Sequence, residues 1–196
     1  MPAAQRPLLD QIQEGNREVL DRVSMMLDLI SLERTRSASV DLGTLVSSLV
    51  EDMQSSPHAA SADLHFDRPE RLVSVRGAQP ALSKAAYYLL TGSLQATADS
   101  PLHVSVRGWE TGAEVRVATP QPRVDPVVLH GAVRGQRSIG RDETSAAPAP
   151  PLERAVLRLR VAQHLARSLN GMLTVDAENG QHGVFTLRLP RLPEEP

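Results

Sequence analysis

The side chains capable of chemistry are scattered along this chain. It has six histidines (His58, His65, His103, His130, His164 and His182) and no cysteine. Without thiols there are no disulfides, thiolate metal sites or cysteine nucleophiles. His58 and His182 fall in a loop and a turn, with no second ligand at helical spacing to suggest zinc. His164 sits beside a helical stripe of Leu and Val and reads as a half-buried or surface histidine. Ser138, in GQRSIGRD, does not match the nucleophile-elbow pattern and follows no strand. Glu110 and Glu114 flank a hairpin and read as solvated strand charges rather than an acid–base pair. Arg134, Arg137 and Arg141 read as a solvated basic stretch, with an acidic partner surface as the alternative.

The whole chain sets further bounds. It has 196 residues, 41% hydrophobic and 22% charged, with a formal charge of −2. One domain with an appendage, or two small domains, fits that length. The near-neutral balance argues against a broad nucleic-acid footprint. No apolar run approaches the roughly 18 residues of a membrane span, and the N-terminus lacks a signal-peptide core. The chain is therefore expected to be cytoplasmic, without membrane contact.

The elements that must position any site follow from periodicity. Residues 6–34 predict a long helix in which Leu9, Ile12, Asn16, Val19, Val23, Met26 and Ile30 alternate three and four apart, the spacing of a two-helix seam. Such a stripe needs a cover, so a homodimer or a helical hairpin is expected, with Asn16 able to fix its register. After a polar break at RTRSAS, Asp41 can cap a second helix with Leu42, Leu45, Val46, Leu49, Val50 and Met53 on one face. Residues 63–66 and 72–75 predict short strands. Residues 79–97 predict a helix with Pro80 in its first turn. Residues 102–107 and 113–118 predict a hairpin. Six prolines fall in residues 119–151, which read as one long loop. Residues 152–169 then predict a helix with Leu157, Val161, Leu165 and Leu169 on one stripe, stopped by Asn170-Gly171 and followed by a last strand pair.

This order resembles the catalytic and ATP-binding domain of sensor histidine kinases, the GHKL or Bergerat fold. The segment MMLDLISLERTRSASVDLGTLVSSLV (25–50) is similar to the second helix of that family's dimerisation hairpin. RVAQHLARSLNGMLTVDAENGQHGVFTLRLP (160–190) is similar to its closing helix, Gly turn and strand pair. The resemblance implies an α+β fold: a dimerisation-like helical segment at 1–55, then an α/β sandwich of the ATPase type at 56–196 with a lid-like loop at 119–151.

The resemblance also locates the family's four nucleotide boxes, and this sequence departs from each. In VRGAQPALSKAAYYLLTGSLQAT, the two Asn positions of the first box are Tyr88 and Gly92, with Gln95 near its basic position. Neither offers the amide oxygen that a hard Mg²⁺ wants. The Asp-x-Gly-x-Gly box becomes Thr119, Gln121 and Arg123, without the charged acceptor for adenine. The lid box is matched only loosely by VVLHGAVRG. The Gly-Leu-Gly-Leu box becomes Val156, Leu157, Arg158 and Leu159, without the glycines of a phosphate cradle. The family's phosphoacceptor histidine lies on the first helix of the hairpin, and the resemblance implies that this sequence starts at the second.

The reading is thus a degenerate histidine-kinase-like pseudokinase with no cofactor, acting as a dimeric docking module for a kinase, a response regulator or another regulatory protein. No catalytic, cofactor-binding or metal-binding residue is expected. The alternatives are a divergent ATP- and Mg-dependent histidine kinase or ATPase, using Arg123 and Arg158 for phosphate, and a histidine phosphotransferase-like relay.

Overall fold

The computed structural model describes residues 15–16, 19–20, 22–28, 36–55, 63–97, 100–134, 150–178 and 182–191. The chain forms two compact units, Met1–Arg34 and Thr35–Pro196. In the first, the described residues are helical. Val19, Val23 and Met26 of the expected seam are exposed there, as are Leu20 and Leu27, while Met25, outside the expected seam, is buried. Asn16 is exposed. Leu9, Ile12 and Ile30 lie outside the described residues.

The second unit runs β1 (Ala38–Asp41), α1 (Leu42–Ser55), β2 (Leu64–Asp67), β3 (Ser74–Gly77), α2 (Gln79–Ala96), β4 (Leu102–Trp109), β5 (Gly112–Thr119), α3 (Pro126–Val133), α4 (Pro150–Ser168), β6 (Met172–Glu178) and β7 (His182–Pro190). Five strands form one sheet in the order β2-β4-β5-β7-β6, and β1 and β3 form a separate antiparallel pair. Only β2 and β4 run parallel within the larger sheet. Period-two alternation gives that sheet two unlike faces. Val104, Val117, Phe185 and Val175 lie in register across four strands, as do Val106, Val115, Leu187 and Leu173, and all are buried. Helices α1, α2 and α4 pack against the sheet, completing the expected α/β sandwich. The opposite rows carry His103, Arg107, Glu114 and Arg188, with Glu114 accepting from Arg188 Nε at 3.4 Å.

Four sequence expectations need correction. The polar break ends earlier than expected: Ala38–Asp41 pair with Ser74–Gly77, a partnership set by contacts distant in sequence. Helix α1 packs on α2, β2 and β4, whereas the resemblance grouped it with the N-terminal segment. The stretch 119–151 is not one loop. Thr119 ends β5, and Pro126–Val133 is a helix that buries Leu129 and Val133. Asp125 caps it, accepting from the Val127 amide at 2.8 Å, and Pro126 starts it with a preset φ. The buried stripe of α4 keeps Val161 and Leu165 of the expected one but continues through Ala155, Leu159, Ala162 and Ala166, and leaves Leu157 exposed.

Helix ends are fixed locally. Asn170 takes φ 56°, and the Gly171 amide reaches the Ala166 carbonyl at 2.7 Å, a Schellman stop for α4. At α1, Asp41 accepts from the Gly43 amide at 3.1 Å, the Thr44 amide at 3.2 Å and the Thr44 hydroxyl. Partial burial pushes the Asp41 carboxyl up, but hydrogen bonds from Thr44, Gly43 and Val73 outweigh it and hold the group below the usual carboxylate range. Its stabilisation is therefore present above the unfolded pKa and is lost as pH falls through the folded pKa.

Helices α2 and α4 make the most extensive contact between elements outside the sheet. They meet at Gly92. A Cβ there would stand 2.9 Å from Leu159 Cγ and 3.3 Å from the Leu159 backbone nitrogen. Leu159 itself is fully buried. The absent side chain is a notch filled by leucine.

Two stability outcomes follow. Asp41→Ala is expected to cost about 1 kcal/mol in urea unfolding at neutral pH. That difference should vanish below the carboxylate range. Gly92→Ala would gain about 1 kcal/mol of helix propensity in open space, but against Leu159 it should instead destabilise by about 1–3 kcal/mol. Combining it with Leu159→Ala should cost less than the sum of the two single changes. Strict additivity in that double-mutant cycle would refute the notch.

Candidate functional site

The positions that the resemblance singled out fall on α2, on α4, at the end of β5 and in the chain that leaves it. Tyr88 and Gly92 are one helical turn apart on α2, and both are buried. Opposite Gly92 stands Leu159 of α4, whose neighbours Val156 and Arg158 are half-buried. Thr119 is buried at the end of β5, and its hydroxyl accepts from the Gln121 amide at 3.4 Å. The chain leaving β5 is stitched to the end of α2: Thr97 bridges to Pro122, and the Arg123 amide donates to the Ala96 carbonyl at 2.9 Å. The side chains of Gln121 and Arg123 are exposed.

The surrounding packing is tight at a second point. Gly183 of β7 faces Thr119, where a Cβ would meet Thr119 Cγ2 at 3.2 Å and Pro122 Cβ at 3.3 Å. Helix α3 is moored beside this region. His130 Nδ1 lies 2.7 Å from the Val175 carbonyl of β6. A carbonyl only accepts, so Nδ1 carries the proton. Sequence reading placed this histidine in a loop and missed its role as a tether. The only local signal was Asp125-Pro126, a capping pair.

The chemistry available at these positions is limited. Tyr88, Gly92, Thr119, Val156 and Leu159 provide no carboxylate or amide oxygen for a divalent cation, and the amide of Gln121 is exposed. Among the described residues no group of three His, Asp or Glu is arranged to hold a metal. Arg123 and Arg158 are the cations at hand, one exposed and one half-buried. Ser93 Oγ and Gln95 Oε1, on the same helix, are buried without a hydrogen-bond partner. They are the polar atoms of α2 left over by the packing.

The other candidates stay apart. His164 is exposed on α4, and His182 opens β7. His65 stacks on His103 across the parallel strands, with ring centroids 5.3 Å apart. Glu114 is engaged by Arg188, and Glu110 lies in the hairpin turn. Arg134 ends α3, while His58, Arg137, Ser138 and Arg141 lie outside the described residues. Among the described residues no helix is long and apolar enough to cross a membrane.

No protein-family model matches the chain, and no curated protein matches it. Solved structures do. The chain superposes on histidine kinase ThkA, in its complex with the response regulator protein TrrA, at TM-score 0.72 and 12% identity, covering 100% of this chain and 54% of that one. Full-length ShkA in complex with AMPPNP matches at 0.67 and 16% identity, over 100% of this chain and 41% of that one. The Acinetobacter baumannii histidine kinase AdeS matches at 0.61 and 14% identity, over 98% and 86%. At such low identity the likeness is one of fold: the chain is built as histidine kinase catalytic domains are.

Proposed function

We propose that this chain is a histidine-kinase-like signalling module that has kept the fold and given up nucleotide chemistry. The observation that carries the reading is the filled notch at Gly92, where Leu159 occupies the space an amide ligand would need. Tyr88 at the companion position and a hydroxyl, Thr119, in place of a carboxylate support it. Such a module acts by docking. Its proposed partner is a response regulator or a kinase of a two-component system, a reading supported by the likeness to ThkA in complex with TrrA. No cofactor is assigned to it.

A second reading, a divergent ATP-dependent kinase, is favoured by the likeness to ShkA in complex with AMPPNP and by the proximity of Arg158 to the notch. Calorimetric titration with ATP and Mg²⁺ separates the two. The pseudokinase gives no saturable heat. A micromolar dissociation constant, about 8 kcal/mol of binding, supports the kinase instead, and phosphoprotein or free phosphate from labelled ATP would establish it.

The N-terminal unit is assigned to self-association. Val19 and Leu20 are 59% and 65% exposed, and Val23, Met26 and Leu27 extend the same apolar surface. Covering each such side chain stabilises by about 1.5–3 kcal/mol, which favours a paired helix. Light scattering should report a dimer at tens of micromolar concentration, and Val19→Asp with Val23→Asp should halve that mass. A monomer at the outset, or an unchanged mass in the variant, removes the seam.

A further inference from the structure

A groove lies away from the notch, on the outer edge of the sheet. It has a volume of about 900 Å³ and is walled by residues 67–74 on one side, and on the other by β4 from Ser105 onward, the hairpin turn and Arg191. Its base is a strand edge that is only half used. β2 pairs with β4 from Leu102 to Ser105 and no further, whereas β4 continues to Trp109. Among the described residues, Val106–Trp109 pair on the β5 side alone. An unpaired edge presents backbone donors and acceptors in strand spacing, which is a template for one more strand.

The side chains around that edge are those that dominate binding surfaces. Trp109, the chain's one tryptophan, is 41% exposed. Its indole is already fixed: Nε1 donates to Thr111 Oγ1 at 2.9 Å, and the ring lies over Gly112, where a Cβ would meet Cζ2 at 2.9 Å. Leu72 is 76% exposed on the facing wall. A rigid aromatic loses little entropy on binding, so the surface is preorganised.

Arginines reach the groove from separate segments. Arg68 is spoken for by Glu51 at 3.0 Å. Arg71, Arg107 and Arg191 have no ion pair among the described residues. Asp67, Glu70 and Glu110 also line the walls. Tryptophan and arginine concentrate at the energetic centres of interfaces, whereas Asp and Glu are depleted there. Arg71, Arg107 and Arg191 offer charge-assisted donors to a partner's carboxylates, and the three carboxylates restrict its register by repelling a misplaced acid.

We propose that this groove binds an extended, acidic segment of another protein, which adds to the free edge of β4, sets an apolar side chain against Trp109 and Leu72, and gives carboxylates to Arg71, Arg107 and Arg191. The surface is independent of the nucleotide question, and it stands whether or not the notch accepts a ligand.

Selection from a displayed library of random linear peptides on the full chain tests it. Enriched peptides should alternate apolar and acidic residues. A synthetic peptide of the winning sequence should change the emission of Trp109 saturably. Arg107→Glu should weaken that peptide by about tenfold or more, as should N-methylation of alternate peptide amides, which blocks strand addition. Arg191→Glu, outside the strands, gives the same readout if Arg107→Glu unfolds the protein, and circular dichroism identifies that case. No enrichment, enrichment of basic sequences, or binding indifferent to Arg191→Glu or to N-methylation would each overturn the proposal.

Discussion

The close approach of α2 and α4 at Gly92 and Leu159 is the constraint around which the second unit is arranged. Two helices can meet this closely only where one of them lacks a side chain. Leu159 fills that place and is fully covered. The consequence spreads outward through the backbone. The end of α2 holds the chain that leaves β5, through the Ala96 carbonyl and the bridge between Thr97 and Pro122. That chain then enters α3, which His130 moors to β6. One packing choice thus connects the helical layer, the centre of the sheet and its far edge.

What could be read from the sequence was what short-range physics decides. Helix α2 begins with Pro80 in its first turn and α4 ends at Asn170-Gly171, both signals carried by a few adjacent residues. The hairpin of β4 and β5 was written in its alternation around Trp109-Glu110-Thr111-Gly112. Asp41 was legible as a cap for the same reason. The failures all involve distant partners. β1 is short, only Val40 in it is buried, and its strand character comes from pairing with β3. Helix α3 is eight residues long, below the length at which a helix is stable alone. It exists because Leu129 and Val133 are buried and His130 has a carbonyl to hold.

The positions singled out by resemblance could be placed on elements, but their surroundings could not. Tyr88 and Gly92 lie on α2, and Thr119 ends β5. No pattern along the chain could say that Leu159 would face Gly92, because that contact joins residues of different helices. The edge groove was missed for a related reason. Trp109 looked like an ordinary hairpin residue, and its significance depends on β2 ending before β4 does. Neither Arg71 nor Arg191 is near it in sequence.

Losing ligand groups and keeping a fold are separable because they draw on different atoms. The rows from Val104 to Val175 and from Val106 to Leu173 hold the sheet against its helices without any residue of the notch. A ligand cleft, by contrast, is volume that the empty protein leaves unpacked, with polar groups waiting for partners. Filling it with leucine replaces that deficit by ordinary van der Waals contact, which favours stability wherever selection no longer demands the ligand. On α2, Ser93 Oγ and Gln95 Oε1 are buried without a hydrogen-bond partner. These two polar atoms carry a desolvation cost that an apolar helix of the same shape would not.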